Sequence, residues 1–345
     1  MKLHFCLLVC IFVIVAQALP TSSTDSFLGE PFKTYAIETG DYSAVLVHRE
    51  PSDSTKKKAA ILYVHGFNDY FFQSELAARA DSAGYDFFAI DLHAHGRAYK
   101  KGEARGHLRN IPDYYPELDS AVSYIKQITD SLPVVLLGHS TGGLITTLYT
   151  VDRDNGRGFA ALVLNSPFFE FNFNKLVTKI GVPIISRIGA SRPNITLPTS
   201  STPFYGYSLH KNYHGEWAFD TTLKSFLSPA QDFGWARAIH LGQFRVQKGR
   251  NIAIPVLVMH SSCSLRNADE WVDEFTRCDA VLDVDDIEKY GSRLGKQVTI
   301  ATIEGGLHDL YLSKKPVREN AYKITFDFLD AKIVTSYESL VTRGL

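Results

Sequence analysis

The stretch from Pro133 to Gly143 constrains the fold of this chain more than any other. It contains the apolar run Val134 to Leu137, which has the length and β-branched content of a buried strand. The next five residues, Gly138 to Gly142, read Gly-His-Ser-Thr-Gly, and Leu144 to Thr150 can continue as a helix. A serine on a tight strand-to-helix turn needs very small residues on both sides, because larger side chains would clash with the neighbouring backbone. The pattern therefore predicts a nucleophile, Ser140, at the positive end of a helix.

Short apolar runs alternate with helix-like stretches along most of the chain. The predicted strands are two within 34–48, with a turn at 39–41, and single strands at 59–64, 86–90, 160–164, 255–259 and 297–303; the predicted helices are 73–83, 113–129, 284–294 and 316–329. This alternation is typical of an α/β protein with a mostly parallel, doubly wound sheet and helices on both faces.

Residues 168–251 interrupt this alternation. The stretch is rich in aromatic residues and proline, and it is too long to be a simple loop. We expect it to form an inserted cap, or lid, over the carboxyl edge of the sheet. The α/β core would then comprise residues 19–167 and 252–345.

The amino terminus has the layout of a secretory signal peptide. A basic start, Met1-Lys2, precedes the apolar stretch Leu3 to Val15 and the small residues Ala16-Gln17-Ala18. We expect cleavage after Ala18 and secretion of the protein. No later stretch has the length and apolar character of a membrane span. The net charge of −1 gives no argument for nucleic acid or an anionic membrane as a partner.

Two of the four cysteines lie within the predicted signal peptide, which leaves Cys263 and Cys278. In an oxidising compartment this pair suggests one disulfide closing a short loop, and two unpaired buried thiols are the alternative. One sequon begins at Asn194, in a Pro- and Ser-rich stretch, and is a candidate N-glycosylation site on the surface.

A serine nucleophile requires a base, and His308 is the best-placed histidine. It follows the last predicted strand in Gly305-Gly306-Leu307-His308-Asp309, where the glycines let the chain turn back toward the sheet. The carboxyl ends of the strands in a doubly wound sheet present their loops at one edge, so His308 is expected beside Ser140.

The acid that orients the base is less obvious. The strand 255–259 is followed by residues 260–264, which include no carboxylate. The two cysteines, however, bracket a detour, and a disulfide between them would return Asp279 to the end of that strand. We therefore favour Asp279, with Asp283 next and Asp269 or Asp285 behind it. The alternative role for Asp283 and Asp285 is to cap the following helix.

Four motifs in this order give the chain a family resemblance: His65-Gly66-Phe67, Asp91 to Arg97, Gly138 to Gly142, and Gly306 to Asp309. Over residues 30–330 the chain resembles the α/β-hydrolase superfamily, in particular its branch of monoacylglycerol lipases and serine aminopeptidase-like proteins. The resemblance implies that the backbone N–H groups of Phe67 and Thr141 form an oxyanion hole, and that no metal or organic cofactor takes part. The chain departs from the family pattern in lacking an early acid, in the cysteine-bracketed detour, and in Ala98, where a serine is usual.

The expected activity is two-step acyl transfer to water by Ser140, His308 and Asp279. The aromatic cap favours carboxylic esters with an apolar acyl group, first among them monoacylglycerols or lysophospholipids. A serine aminopeptidase is the same-fold alternative, with Glu170 or Glu216 available to bind a free amino group. A catalytically inactive binding protein of this fold is the alternative from another class.

Three histidines near strand ends also raise the possibility of a zinc site. His93 and His95 are separated by one residue, and His65 follows an earlier strand. No acidic or cysteine ligand set accompanies them, so we expect hydrogen bonding or packing roles instead. The sequence makes no prediction of oligomeric state.

Overall fold

The computed structural model describes residues 21–198, 202–266 and 268–341, with side chains as far as Ile333. The predicted signal peptide, residues 1–18, lies outside the described residues. Within those residues one sheet contains nine strands: β1 Ser23–Thr24, β2 Phe32–Thr39, β3 Tyr42–Arg49, β4 Ala59–Val64, β5 Tyr85–Asp91, β6 Val134–His139, β7 Ala161–Asn165, β8 Val256–Ser261 and β9 Val298–Ile303.

The sheet is mostly parallel. Its strand order is β1-β2-β3-β5-β4-β6-β7-β8-β9. The pairs β1–β2, β2–β3 and β3–β5 are antiparallel, and all pairs from β5–β4 through β8–β9 are parallel. The carboxyl ends of six neighbouring strands therefore meet at one edge, which is where loops of a doubly wound sheet can form a site.

The described helices are α1 Ser74–Ser82, α2 Tyr115–Ile128, α3 Thr141–Asp152, α4 Val182–Gly189, α5 Phe204–Leu209, α6 Phe233–Gln247, α7 Val284–Gly291 and α8 Lys315–Val341. Side chains of α2, α3, α6 and α7 join the apolar core on one face of the sheet. Side chains of α1 and α8 join the core on the other face. No helix in the described part of the chain is both long and apolar enough to cross a membrane.

The central strand β4 illustrates why the sequence alternation leads to this architecture. Its six residues are all buried, and they alternate between the two cores, with Leu62 in one and Ile61 in the other. A strand covered on both faces reads as a continuous apolar run, which is what residues 59–64 show. The predicted fold class is therefore confirmed. The predicted strands and helices of the core lie within a few residues of the observed ones, except that α8 continues to Val341, well beyond its predicted end at Leu329.

Residues 168–251 contain α4, α5 and α6. Helix α6 packs through Ala238, Ile239 and Val246 on the same apolar core as the sheet. Helix α4 packs on α6, where the Arg237 side chain donates a hydrogen bond to the Ser186 carbonyl at 2.9 Å. The assignment of this segment as a cap stays a prediction.

Replacing Gly142 by alanine tests the packing at the carboxyl edge of the sheet. A Cβ atom at this position would overlap the carbonyl oxygens of Val64 and His65 at the end of β4. Because the overlap is with backbone atoms, we expect the overpacking to cost about 3 kcal/mol or more in the free energy of unfolding, which outweighs the gain of about 1 kcal/mol in helix propensity. Chemical denaturation provides the measurement.

Gly158→Ala is the matched control, because a Cβ there meets nothing within 4 Å and the backbone is not left-handed. Equal stability of the two variants would contradict the proposed backbone contact.

Candidate active site

Ser140 lies at the junction of β6 and α3 in a conformation that is rare for residues with a side chain. Its φ is 53° and its ψ is −116°. A Cβ at Gly138 would overlap the Thr146 hydroxyl and the Gly142 carbonyl, so the turn closes only with glycine there. The backbone N–H of Ser140 donates to the Asn165 carbonyl of β7 at 3.0 Å, which fixes the turn to the sheet.

His308 lies between Ser140 and Asp279. Its Nε2 is 2.9 Å from the Ser140 Oγ, and its Nδ1 is 2.9 Å from the Asp279 Oδ2. All three side chains are buried. With Nδ1–H donating to a carboxylate, Nε2 is the ring nitrogen that can accept a proton from the serine hydroxyl.

Both carboxylate oxygens of Asp279 have partners. While Oδ2 faces His308, Oδ1 accepts hydrogen bonds from the N–H groups of Val281 and Leu282, each at 2.8 Å. These donors compensate for the removal of the carboxylate from water and fix its orientation.

The expected disulfide between Cys263 and Cys278 is present, with Cα atoms 4.9 Å apart. Two backbone hydrogen bonds extend the link: Asp279 N–H donates to the Cys263 carbonyl at 2.9 Å, and Leu265 N–H donates to the Asp279 carbonyl at 2.7 Å. The detour therefore returns to the end of β8, which brings Asp279 to His308.

The other candidate acids have different surroundings. Asp283 is the N-cap of α7, where it accepts from the Asp285 N–H at 3.2 Å, and it also forms an ion pair with Arg266. Asp285 and Asp269 are exposed. Of the four acids, Asp279 is the one whose carboxylate contacts His308.

Phe67 and Thr141 line the same small cavity next to Ser140. Thr141 is the first residue of α3, where a backbone N–H has no partner within the helix. His65 N–H at Nδ1 donates to the Gly66 carbonyl at 2.7 Å, since Nε2 accepts from the Leu92 N–H at 3.1 Å. In a trans peptide the C=O and N–H point in opposite directions, so His65 orients the Phe67 N–H.

Asn165 is a positioning residue that the sequence analysis missed. Its carbonyl accepts from Ser140, and its side chain donates to Asp309 Oδ1 at 2.8 Å and accepts from the Leu310 N–H at 3.2 Å. It therefore connects the Ser140 turn to the loop that carries His308. A polar residue at the carboxyl end of the strand beside β6 was the available sequence signal.

Lys224, Asp69 and His139, the residue before Ser140, form a second group of buried polar side chains. The Lys224 ammonium, from the segment predicted as a cap, is 2.9 Å from Asp69 Oδ1, and Asp69 Oδ2 is 3.7 Å from His139 Nδ1. Burial favours the neutral form of Asp69, yet the nearby Lys224 and His139 hold its pKa well below the usual value.

Asp69, His139 and Asp309 are also the described residues that come close enough together to bind a metal ion, with ligand atoms within 4.8 Å of one another. Lys224 already supplies a positive charge to Asp69 at 2.9 Å, which disfavours a cation there. We therefore interpret the group as a buried ion-pair network.

A small cavity adjoins the Ser140 turn. Its walls include Phe67, Thr141, Leu108, Ile145, His95 and Trp235. Burial, with the neighbouring His65 as a smaller cause, lowers the pKa of His95 well below its usual value, so this histidine is neutral. The cavity is therefore an uncharged, mostly apolar space beside the proposed oxyanion donors.

The histidines considered for zinc have other partners. His93 Nδ1 forms a hydrogen bond with the Glu117 carboxylate, and His93 Nε2 forms one with the His107 carbonyl oxygen at 3.2 Å. His95 Nδ1 contacts the His93 carbonyl at 2.8 Å. His65 forms hydrogen bonds with the Gly66 carbonyl and the Leu92 N–H. The three histidines therefore stabilise the loops at the carboxyl edge of the sheet.

Both carboxylates considered for binding an amino group are also engaged. Glu216 forms an ion pair with Arg318, and Glu170 accepts from Gln247 Nε2 at 3.1 Å. Burial raises the pKa of Glu170.

Asn194, the sequon residue, is exposed, and its Oδ1 accepts a hydrogen bond from Arg109 at 2.8 Å.

Comparison with known proteins matches the chain to one protein family and to several relatives. The family described as "Serine aminopeptidase, S33" matches residues 55–315. The monoacylglycerol lipase of Mycolicibacterium smegmatis is 28% identical over 208 residues, which cover 60% of this chain and 70% of that protein. Phospholipase YtpA of Bacillus subtilis is 34% identical over 110 residues, covering 32% of this chain and 40% of that protein.

A solved structure supports the fold. The soluble variant of monoglyceride lipase from Saccharomyces cerevisiae, in complex with a substrate analog, superposes with a TM-score of 0.66 at 17% identity. The superposition covers 92% of this chain and 97% of the yeast chain.

Replacing Lys224 by methionine tests the buried ion pair. The pKa of Asp69 is lower in the folded than in the unfolded state, so its ionised form stabilises the fold above pH 3.8 and this contribution is lost as the pH falls toward the folded-state pKa. Without Lys224, burial raises that pKa, and the variant gains stability on acidification. We expect a loss of about 3–5 kcal/mol at pH 7, shrinking toward pH ~4.

Urea denaturation at several pH values measures this difference. Lys126→Met, on the exposed side of α2, is the control. A loss of stability that does not depend on pH would contradict the assignment.

Proposed function

Because the chain belongs to the serine aminopeptidase S33 family of α/β-hydrolases, we propose that this lipase-like hydrolase is a secreted enzyme that cleaves small lipid esters with a Ser-His-Asp mechanism. The observation that carries the proposal is the continuous contact from Ser140 Oγ through His308 to Asp279, with both distances at 2.9 Å. A hydroxyl, an imidazole and a buried carboxylate in this order form the geometry of an activated nucleophile.

In the first step Ser140 Oγ attacks the ester carbonyl carbon while His308 Nε2 accepts the hydroxyl proton. Asp279 keeps the His308 Nδ1–H oriented and stabilises the imidazolium that forms. The tetrahedral intermediate collapses when His308 returns the proton to the leaving alcohol oxygen, which leaves the acyl group on Ser140. In the second step water repeats the attack, His308 again acts as base and then acid, and the carboxylic acid is released.

The negative charge that develops on the carbonyl oxygen requires donors in a water-poor site. The N–H groups of Phe67 and Thr141 are the proposed donors. His65 supports this role because it fixes the Gly66 carbonyl and thereby the direction of the Phe67 N–H. The positive end of α3 adds to the stabilisation.

Lipid esters are the favoured substrates for two reasons. The relatives are a monoacylglycerol lipase and a phospholipase. The walls of the small cavity beside Phe67 and Thr141 are mostly aromatic and aliphatic, which favours an apolar group over a charged one at this position.

A serine aminopeptidase is the second candidate, favoured by the description of the matched family. It would require a free carboxylate to bind the substrate amino group, and Glu170 and Glu216 are already hydrogen-bonded or ion-paired. Hydrolysis of an aminoacyl anilide in preference to a p-nitrophenyl ester would favour this candidate.

Secretion is proposed from the sequence of residues 1–18, and the Cys263–Cys278 disulfide is consistent with an oxidising compartment. We also propose that the exposed Asn194 carries an N-glycan. A mobility shift of the secreted protein on glycosidase treatment, absent in Asn194→Gln, tests the glycan.

Labelling with a fluorophosphonate probe tests the enzyme assignment. We expect the wild-type protein to react and to hydrolyse p-nitrophenyl esters and monoacylglycerols. Ser140→Ala should lose the label and at least about 10⁴-fold in kcat/KM, because it removes the hydroxyl that is hydrogen-bonded to His308 Nε2. Ser123→Ala, on the exposed face of α2, is the control. A folded wild-type protein without labelling or ester hydrolysis would refute the assignment.

A pair of aspartate variants tests the acid. Asp279→Asn keeps the shape of the side chain but removes the carboxylate from His308, and we expect kcat to fall by about 10²–10⁴-fold. Asp283→Asn should change kcat by less than about twofold, since asparagine is also a good N-cap. Thermal unfolding of both variants verifies that they fold. The opposite pattern of kcat would transfer the role to Asp283.

A further inference from the structure

The strand β9 forms one edge of the sheet and contains no charged residue. Its six residues, Val298 to Ile303, read Val-Thr-Ile-Ala-Thr-Ile, and five of them are β-branched. It is the last strand in the sheet order, and within the described part of the chain it pairs with β8 alone. Proteins usually protect such an edge with a charged residue, a proline, a bulge or a very short strand. The opposite edge has this protection, because β1 consists of two residues.

Every second residue of β9 directs its backbone polar groups away from β8. The Gln297 carbonyl accepts from the Val256 N–H at 2.9 Å, and the Ile303 carbonyl accepts from the Ser262 N–H at 3.1 Å. Because successive residues of a strand alternate in direction, the odd-numbered residues face β8 and the even-numbered residues face the open edge. The outward-facing residues of β9 are Val298, Ile300 and Thr302.

Apolar side chains of β9 also remain partly exposed at this edge. Val298 and Ile300 pack against the core on the face covered by α7, and Ala301 packs against the core on the face covered by α8. All three are nevertheless only partly buried. A strand added to this edge would cover these side chains and would provide partners for the outward N–H and C=O groups.

The charges at the two ends of β9 indicate which strand fits this edge. Lys296 precedes the strand, Glu304 follows it, and both are exposed. Two copies of β9 related by a two-fold axis perpendicular to the sheet run antiparallel and keep each face of the sheet on the same side. Because both charged residues are four positions from Ile300, a register centred on Ile300 places each Lys296 opposite Glu304 of the second copy.

The same register provides partners for the outward backbone groups. It places Ile300 opposite its own copy and Val298 opposite Thr302, and each of these residues directs its N–H and C=O toward the second copy. Opposed residues of this kind exchange both hydrogen bonds in an antiparallel pair. A shift of one residue would instead oppose an outward-facing residue to one that faces β8, and would mix the two faces of the sheet.

We propose that β9 pairs antiparallel with β9 of a second copy of this chain, in the register centred on Ile300, so that the two sheets form one continuous sheet. The two copies use the same surface, so the assembly closes as a dimer and leaves no β9 edge free. The backbone hydrogen bonds stabilise the pairing, and the two pairs of Lys296 with Glu304 determine its register. This dimer does not depend on the proposed function.

Charge reversal, measured by sedimentation velocity over a range of protein concentrations, tests the pairing. We expect Lys296→Glu or Glu304→Lys to raise the dimer Kd by about tenfold or more, because each replaces two attractive pairs with two repulsive ones. The double variant Lys296→Glu/Glu304→Lys restores both attractive pairs, and its Kd should return to within about threefold of the wild type. Lys126→Glu, on the exposed side of α2, is the matched control and should dimerise like the wild type.

Single cysteines test the register directly. In the proposed dimer the two copies of residue 300 face each other with Cα atoms about 5.5 Å apart, which is within the reach of a disulfide. Ile300→Cys should therefore form a disulfide-linked dimer under mild oxidation, visible on a non-reducing gel. The two copies of residue 302 are about 13 Å apart along the strands, so Thr302→Cys should not link, although this side chain is more exposed.

Three results would overturn the proposal. The first is a wild-type protein that stays monomeric up to the highest concentration at which it is soluble. The second is a dimer whose Kd does not change on charge reversal, or one that links through Thr302→Cys and not through Ile300→Cys, since its interface would lie elsewhere. The third is a chain without residues 342–345 that dimerises when the full chain does not, because the carboxyl terminus would then occupy the edge of β9.

Discussion

The arrangement of the candidate site depends on a close backbone contact between α3 and the end of β4. Gly142 lets the first turn of α3 rest on the carbonyl oxygens of Val64 and His65. Gly66 also lies close to Ser140, because a Cβ atom on Gly66 would be only 3.1 Å from the Ser140 Cβ, which is tighter than most Cβ contacts. The two N–H groups proposed to stabilise the oxyanion therefore flank the serine because two elements of the sheet edge pack without side chains between them. The glycines of the motif are therefore required for close packing. The proposed mechanism depends on the position that this packing gives to Ser140.

Buried polar residues near this contact form hydrogen bonds that hold His308 and the following residue in one orientation. Asp279 holds one side of the imidazole, and Asn165 holds the following residue, Asp309, against the strand next to β6. Gln73 donates to the second oxygen of Asp309 at 3.2 Å. Such networks are costly unless each member has partners, and once satisfied they hold charged groups in fixed directions. The imidazole is thus oriented in the resting protein, which in the proposed mechanism leaves little reorganisation when charge develops on it.

The sequence predicted those features that depend on local pattern. Period and apolar runs predicted the core strands and helices. The Gly-His-Ser-Thr-Gly turn and the position of His308 after the last strand predicted that these two side chains lie beside each other, as they do. Asp279 required the additional inference that two cysteines close a detour. The roles of Asn165 and of the Asp69–Lys224 pair could not be predicted, because they depend on which distant segments meet at the sheet edge. The net charge of the chain does not show how charge is distributed along it: residues 171–215 contain five basic residues and no aspartate or glutamate.

The disulfide between Cys263 and Cys278 has a consequence for how the loop beyond it can vary. Together with the backbone bridge of Ser264 to Asp279, it closes the base of the detour. The outer part of the detour includes Trp271 and Phe275, which pack on Phe204 of α5, at centroid distances of 6.3 and 5.3 Å. Because the base is fixed by its own bonds, we expect exchanges at exposed positions of the outer part, such as Asp269 and Glu270, to disturb the carboxylate less than exchanges at the buried Phe275. Contacts between the outer part of the detour and α5 can therefore be changed by mutation while the position of Asp279 beside His308 is kept.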